Sequence, residues 1–345
     1  FTVIDEVQSA PALFPALKRE VDRHPVPGRF LLTGSADVFM LPVAAESLAG
    51  RMAVLTLEPL SQAEIEGSQH NLVDALFDTA PWARRTVRTE RADAVRRLLS
   101  GGFPEALGRA EPPRRDAWFG AYLTSLLQRD VRNHANIEAL HDLPRLLSLL
   151  AARSSSLLNV AEVSRATGIA HSTLRRYLAL LEALFIVQPL PAWSANLGKR
   201  LVKAPKLHLI DAALAAYLQG NADTAALALS PQLGPLLETF AVQEIRRHLR
   251  WAETRATAWH FRTAAGREVD LVLEAPGQRI VGIEVKASAS ITQSDFNGLR
   301  ELAGAAGKGF VRGAVLYTGE QLIPFEEHLW AVPLGVLWAG GARVA

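Results

Sequence analysis

The acids Asp5 and Glu6 close a short apolar run, Val3-Ile4-Asp5-Glu6. A strand that ends this way can present its first carboxylate to Mg²⁺ and its second to an attacking water. The plainer alternative is a pair of acids complementing the dipole at a helix start. Further on, Leu31-Leu32-Thr33-Gly34-Ser35-Ala36 ends a second apolar run in hydroxyls, and Glu46-Ser47-Leu48-Ala49-Gly50-Arg51 follows it. A polar group at an adjacent strand tip, Thr33 or Ser35, can position water near a γ-phosphate, and Arg51 can neutralise developing charge.

A second set lies near the other end. Asp270 sits among apolar residues in Glu268-Val269-Asp270-Leu271-Val272, and Ile283-Glu284-Val285-Lys286 places an acid and a lysine two apart on a strand, hence on one face. Asp270 and Glu284 could hold Mg²⁺ or Mn²⁺ while Lys286 orients water or stabilises charge in phosphodiester cleavage. This set resembles that of the PD-(D/E)xK nuclease superfamily, and the resemblance implies Glu238 as the acid at the helical position of the metal site, with Glu244 a second candidate for it. The alternative is a degenerate site in which Lys286 pairs structurally with Glu284 or Asp270.

A third set is basic. Asn159 can cap a short helix, Gly168 suits a turn, and Ala170–Phe185 reads as a second helix, the spacing of a helix-turn-helix. In that reading Ser172, Thr173, Arg175 and Arg176 face a DNA major groove. The stretch 188–209, with Lys199, Arg200, Lys203 and Lys206, reads as a hairpin wing whose cations meet phosphates. Packing or partner contact is the competing use of the same motif.

The elements that must position these groups divide the chain. Phe1–Ile4, Ala12–Arg23 and Phe30–Thr33 read as strand, helix and strand of a parallel α/β sheet. Residues 72–153 are helical in pattern, 157–218 give the helix-turn-helix with its hairpin, 222–235 is a boundary rich in Ala, Gly and Pro, and 236–345 returns to mixed α and β. Trp118, Phe119 and Tyr122 have helical spacing and are expected in a core. With 345 residues, two or three folded units are expected. Lys plus Arg number 37 against 35 Asp plus Glu, so any basic face is local. The chain has no cysteine, which removes disulfides and thiolate metal sites. No run approaches about 18 apolar residues, so no membrane partner is expected. The chain opens FTVIDEVQ, without a starting Met or a secretory pattern; the expectation is a cytoplasmic protein whose sequence here begins inside a fold.

Taken together, these motifs resemble uncharacterised bacterial and archaeal ATPases of the AAA superfamily that carry a C-terminal winged helix and a PD-(D/E)xK nuclease-like domain. The resemblance covers essentially the whole chain. It implies a multidomain α/β protein: the C-terminal part of an AAA-type ATPase core at 1–70, a helical, lid-like region at 71–153, a winged helix at 154–221 and a restriction-endonuclease-like α/β domain at 222–345. Ile4–Gln8 corresponds to the Walker B segment, Leu31–Ala36 to the sensor strand, and Glu46–Arg51 to the entry into the rest of the ATPase. The resemblance implies Asp5 as the Mg²⁺ acid, Glu6 as the catalytic acid, Thr33 or Ser35 as the sensor, and Arg51 as a charge-neutralising arginine that could act in a homo-oligomer. ATP and Mg²⁺ are the implied cofactors of a full-length parent. The phosphate-cradling G-x-x-x-x-G-K-[ST] is not in the 345 residues, so this chain alone should handle ATP poorly. The leading expectation is a DNA-associated ATPase. The alternatives are a metal-dependent nuclease with a regulatory ATPase part, and a non-enzymatic nucleic-acid or protein-binding module.

Overall fold

A computed structural model describes residues 1–35, 46, 48–80, 82–134, 142–200 and 203–339; the side chain of Lys199 and most of the expected segment between Ser35 and Leu48 lie outside the described set. At the N-terminus, β1 (Thr2–Ile4) pairs in parallel with β2 (Phe30–Leu32), and α1 (Leu13–Arg23) makes the crossover. Val7, Phe14, Leu17 and Leu48 form a small core beneath them. This is the parallel α/β arrangement that the short apolar runs predict.

Helices follow: α2 (Gln62–Ile65), α3 (Leu72–Phe77), α4 (Arg91–Ser100), α5 (Pro104–Leu107), α6 (Pro112–His134) and α7 (Asp142–Ala152). Phe103 packs against Trp118, Phe119 and Tyr122 of α6; Phe119 lies in the core, as its spacing predicts, while Trp118 and Tyr122 are half-buried against it. One element departs from the helical pattern. The short strand β3 (Arg85–Thr86) leaves this region to join a sheet built by the last third of the chain.

Next come β4 (Ser156–Leu157), α8 (Val160–Thr167), α9 (His171–Ala183), β5 (Val187–Leu190), α10 (Leu197–Arg200) and β6 (Lys206–Leu209), with the strands in the antiparallel order β4-β6-β5. Asn159 caps α8 through the Glu162 amide at 3.1 Å, and Gly168 turns the chain at φ +76°. The segment between β5 and β6 does not project freely. Trp193 N–H donates to the His260 carbonyl and His260 N–H to that of Pro191, tying the segment to the C-terminal sheet.

The helices α11 (Ala212–Leu218), α12 (Thr224–Leu229) and α13 (Leu233–Trp251) lead into β7 (Thr257–Arg262), β8 (Glu268–Ala275) and β9 (Arg279–Lys286), an antiparallel meander. A crossover helix, α14 (Asn297–Ala306), then brings β10 (Phe310–Tyr317) parallel to β9. With β11 (Gln321–Glu326) and β12 (Leu329–Pro333) the sheet has seven strands in the order β3-β11-β12-β10-β9-β8-β7. One apolar cluster covers the α13 face and runs on into the helical region, and a second, with Phe296, Leu299 and Leu302, covers the α14 face.

Buried polar groups join these units. Arg247 of α13 is 4% exposed and donates to the Leu60 and Ile210 carbonyls, to Glu244 Oε1 at 2.7 Å and to Asp211 Oδ2 at 2.8 Å. Glu244 Oε2 accepts from the Gln62 amide, and Asp211 Oδ2 from that of Gly102. Glu244 is thus a bridge between α13 and the segment leaving the N-terminal unit, which corrects its candidacy as a metal-binding acid. Burial pushes its carboxyl up to about 7 against the opposing pull of Arg247 and the Gln62 amide. Removing one partner of such a network leaves a buried charge uncompensated, so Arg247→Met should cost about 3–5 kcal/mol. Chemical denaturation should show this as a lowered midpoint, and a loss under about 1 kcal/mol would mean that the network is dispensable.

Candidate functional site

The residues that chemistry singles out fall at two places. At the C-terminal ends of β1 and β2, Thr33 Oγ1 donates to Asp5 Oδ1, and the Gln8 side chain donates to both Glu6 Oε2 and Ser35 Oγ, the latter at 3.1 Å. Backbone bonds lock the two tips together: Thr33 N–H to the Ile4 carbonyl and Val7 N–H to the Thr33 carbonyl, each 3.0 Å. Glu6 has φ +51°, a left-handed conformation that a non-glycine residue holds only when its surroundings impose it. Arg51 is elsewhere: it pairs with Asp22 at 2.6 Å, near the end of α1, which leads into the opposite end of β2. The structure therefore brings together Asp5, Glu6, Thr33 and Ser35 but not Arg51.

The second place lies between α13, β6, β8 and β9. Glu238 comes from the first turns of α13. Asp270 comes from an irregular stretch of β8, where Phe261 and Trp259, two apart, face Val269 and Val272, three apart. The extra residue is a β-bulge, a device that re-aims side chains. Asp270 Oδ2 accepts from the Val285 amide at 3.0 Å, which sets it beside Glu284 and Lys286 of β9. Glu284 Oε1 and Lys286 Nζ are 2.8 Å apart, on one strand face as the E-x-K spacing predicts.

The cation in this cluster is one that sequence reasoning placed elsewhere. Lys206, read as part of a DNA-facing wing, is 3% exposed and reaches Glu238 Oε1 at 2.7 Å and Asp270 Oδ1 at 2.8 Å. Burial works against its charge, but Asp270 and Glu238 outweigh burial and hold its pKa above the ordinary lysine range. Burial also raises Glu238, and Asp270 adds to that rise while Lys206 opposes it. Glu284 is pushed up to about 8 by burial first and Asp270 second, against Lys286 and Lys206. Glu284 Oε2 is buried without a hydrogen-bond partner among the described residues. A divalent cation needs its carboxylates ionised and unoccupied. With Lys206 between Glu238 and Asp270, the donor set present does not fit Mg²⁺ or Mn²⁺.

The neighbouring wing cations are engaged in the same direction. Arg200 makes a bidentate pair with Glu274 at 2.6 and 2.9 Å and lies over the rings of Trp193 and Trp259, and Lys203 Nζ donates to the Arg262 carbonyl. On α9, Ser172, Arg175 and Arg176 are exposed, Thr173 is half-buried, and Leu174 and Tyr177 face the core. Nothing local in the sequence announced Lys206's role: K-L-H-L alternates polar and apolar residues, and only the structure shows that none of the four is exposed and that acids lie beside the ammonium.

The raised Glu284 carboxyl carries a sign. An unfolded glutamate titrates near 4.5, so between about 4.5 and about 8 the folded chain retains a proton that the unfolded chain has lost. That contribution is complete below the lower value and disappears as pH rises through the upper one. Urea midpoints measured from pH 5 to 8.5 should fall more steeply for the native chain than for Glu284→Gln. Parallel slopes for the two would remove Glu284 from the account.

Comparison with known proteins divides the chain much as the structure does. An AAA domain matches residues 1–66, a domain of unknown function (DUF8612) matches 91–225, and another (DUF4143) matches 233–337. The Asp5–Thr33 tip lies in the first, Lys206 in the second, and Glu238, Asp270, Glu284 and Lys286 in the third. No solved structure matches the chain. Two uncharacterized mycobacterial proteins, Rv2008c of Mycobacterium tuberculosis and Mb2031c of Mycobacterium bovis, are each 32% identical over 342 residues, which is 98% of this chain and 69% of theirs. The chain belongs to their family, an uncharacterised family of AAA-like ATPases with an AAA domain at the N-terminus and DUF4143 at the C-terminus.

Proposed function

We propose that residues 1–66 supply the acid side of a nucleotide-hydrolysing centre: Asp5 holds Mg²⁺, Glu6 polarises the attacking water, and Thr33 with Ser35 fixes both acids. The single observation that carries this is the parallel β1–β2 pair, whose common end brings Asp5 against Thr33 and links Glu6 to Ser35 through Gln8. The residues fit the metal and water side of ATP hydrolysis, and a bound Mg²⁺ would neutralise charge on the phosphates. The groups that would cradle those phosphates are not among the 345 residues. Thr33 keeps Asp5 in place, and the left-handed backbone at Glu6 turns its carboxylate away from the line of the strand.

ATP turnover, measured on the protein as its gene encodes it, should fall by about 100-fold or more in Glu6→Gln, the loss typical of a missing general base. Nucleotide affinity should be retained. Unchanged turnover would sink the assignment of Glu6.

The finer reading of the middle is duplex DNA binding by a winged helix, with α9 at the groove. It rests on the exposure of Ser172, Arg175 and Arg176 on the second helix of a helix-turn-helix that is flanked by the strands of a three-stranded sheet, β4 before it and β5 and β6 after it. The wing contributes less than its composition suggests, because Arg200 is committed to Glu274. Fluorescence anisotropy on duplex DNA should show Arg175→Ala and Arg176→Ala each weakening binding and reducing the salt slope by about one. Arg200→Ala should leave that slope unchanged. A slope that responds to Arg200 and ignores Arg175 would move the contact to the wing.

For residues 233–337, the order α13, β7–β9 meander, α14 and parallel β10 supports a restriction-endonuclease-like fold. With Lys206 seated among its acids, that fold serves binding or assembly rather than metal-dependent cleavage.

A further inference from the structure

An open cleft of about 450 Å³ lies where three parts of the chain meet: Thr56, the end of α9 with the start of β5, and Arg246 and Arg250 of α13. That volume is in the range of small-molecule sites, about 300–1,000 Å³. Its polar groups have capacity left over. Among the described residues the Arg246 guanidinium makes one hydrogen bond, from Nη1 to the Pro189 carbonyl at 3.5 Å, a long contact that leaves most of its donors open. Burial lowers the Arg246 pKa, with Glu58 opposing and Arg250 adding to the fall. Arg250 itself donates through Nε and Nη2 to Glu58. Gln188 is 6% exposed, and its Oε1 has no hydrogen-bond partner among the described residues. Glu182 is exposed, yet the protein around it raises its carboxyl, and among the described residues it has no basic partner.

The backbone beside the cleft is held in a shape that its residue type disfavours. At the end of α9 the Phe185 amide bonds to the Glu182 carbonyl and the Ile186 amide to that of Leu181, the Schellman pattern. The left-handed position of that pattern is usually glycine. Here, at φ +57°, it is Phe185, a residue that lines the cleft together with Val187 and Pro189.

We propose that this cleft binds a small zwitterion of the amino-acid type with an apolar side chain. The carboxylate sits on Arg246, the ammonium faces Glu182 and the Gln188 amide oxygen, and the side chain lies against Phe185, Val187 and Pro189. Charge balance favours a zwitterion over a polyanion, because Glu58 and Glu182 offset Arg246 and Arg250. The walls come from the parts matched by the AAA domain and by both domains of unknown function, so one ligand touches all three.

The test is calorimetry at pH 7.5 on the protein as its gene encodes it, with L-leucine, L-methionine and L-phenylalanine as probes. At least one should bind with a Kd of about 1 mM or lower. Arg246→Met and Glu182→Gln should each weaken that binding by about tenfold or more, the loss expected when a charged hydrogen-bonding partner is removed. Removing either charged group from the probe should do the same, as 4-methylpentanoate and 3-methylbutylamine do for L-leucine. No binding by any of the three overturns the proposal, and so does an affinity indifferent to both substitutions. Equal binding of the probe without its ammonium overturns it as well. So does Arg246-dependent binding of inorganic phosphate with no amino acid bound, which would make the cleft a plain anion site. If Arg246→Met does not fold, the exposed substitution Glu182→Gln decides.

Discussion

A guanidinium taken out of water and kept charged is the constraint on which the rest of this structure depends. Isolated, Arg247 would be prohibitively costly to bury. It is tolerated because its donors meet two carboxylates and two backbone carbonyls, and because the acids are themselves satisfied by backbone amides. Each partner comes from a different stretch: Leu60 and Gln62 leave the N-terminal unit, Gly102 enters α5, Ile210 and Asp211 start α11, and Glu244 lies a turn away on α13. The network therefore fixes how four segments meet. Gly101 and Gly102 follow from it, since a Cβ at Gly102 would stand 2.1 Å from the Leu60 carbonyl oxygen and one at Gly101 2.3 Å from Asp211 Oδ1. The turn at Gly101-Gly102 is a close approach of backbone to a buried charge.

The same helix carries a second charged network on another side. Glu238 and Glu244 are six positions apart, about 240° around a helix, so α13 presents one acid to Lys206 and the other to Arg247. It can do so because the apolar cluster around Leu236, Leu237, Phe240, Ala241 and Ile245 fills the space between. The orientation of β6 follows, because Lys206 must reach Glu238 while His208, two residues on along the strand, meets Thr239. With β6 placed, Arg200 and Lys203 are carried to the edge of the C-terminal sheet.

Much of this was readable from residues alone, and the reason is periodicity. The helices α8 and α9, the cap at Asn159 and the turn at Gly168 are local, as are the E-x-K face of β9 and the strand-helix-strand start. What failed to show was long-range. The basic stretch 196–206 looks like a solvent-facing wing because composition carries no information about which acids lie opposite, and Glu238 and Asp270 are 32 and 64 positions from Lys206. Glu244 looked like a metal-binding acid because its partners, Arg247 and the Gln62 amide, are visible only once α13 meets the segment after the N-terminal unit. Strand β3 is two residues long and pairs 235 positions away, beyond any local pattern. The bulge that aims Asp270 inward belongs to a pairing register, which a single strand does not display.

The two networks differ in which group is left over among the described residues: around Arg247 it is the guanidinium Nε, a donor, and around Lys206 it is Glu284 Oε2. Around Arg247 both acids have every carboxylate oxygen engaged, and the arrangement has one use, to hold segments together. Around Lys206 an acid oxygen is left over, Glu238 and Glu284 are raised in pKa first by burial and then by Asp270, and Asp270 itself lies at the bulge in β8. Folding alone does not call for this: two apolar residues in place of Lys206 and Asp270 would pack as well or better. A cluster of acids this close is costly unless a cation is present, so whichever cation occupies it sets the charge state of the whole site. Here that cation is part of the chain, and the identity of the site is decided by a strand outside the domain that supplies the acids.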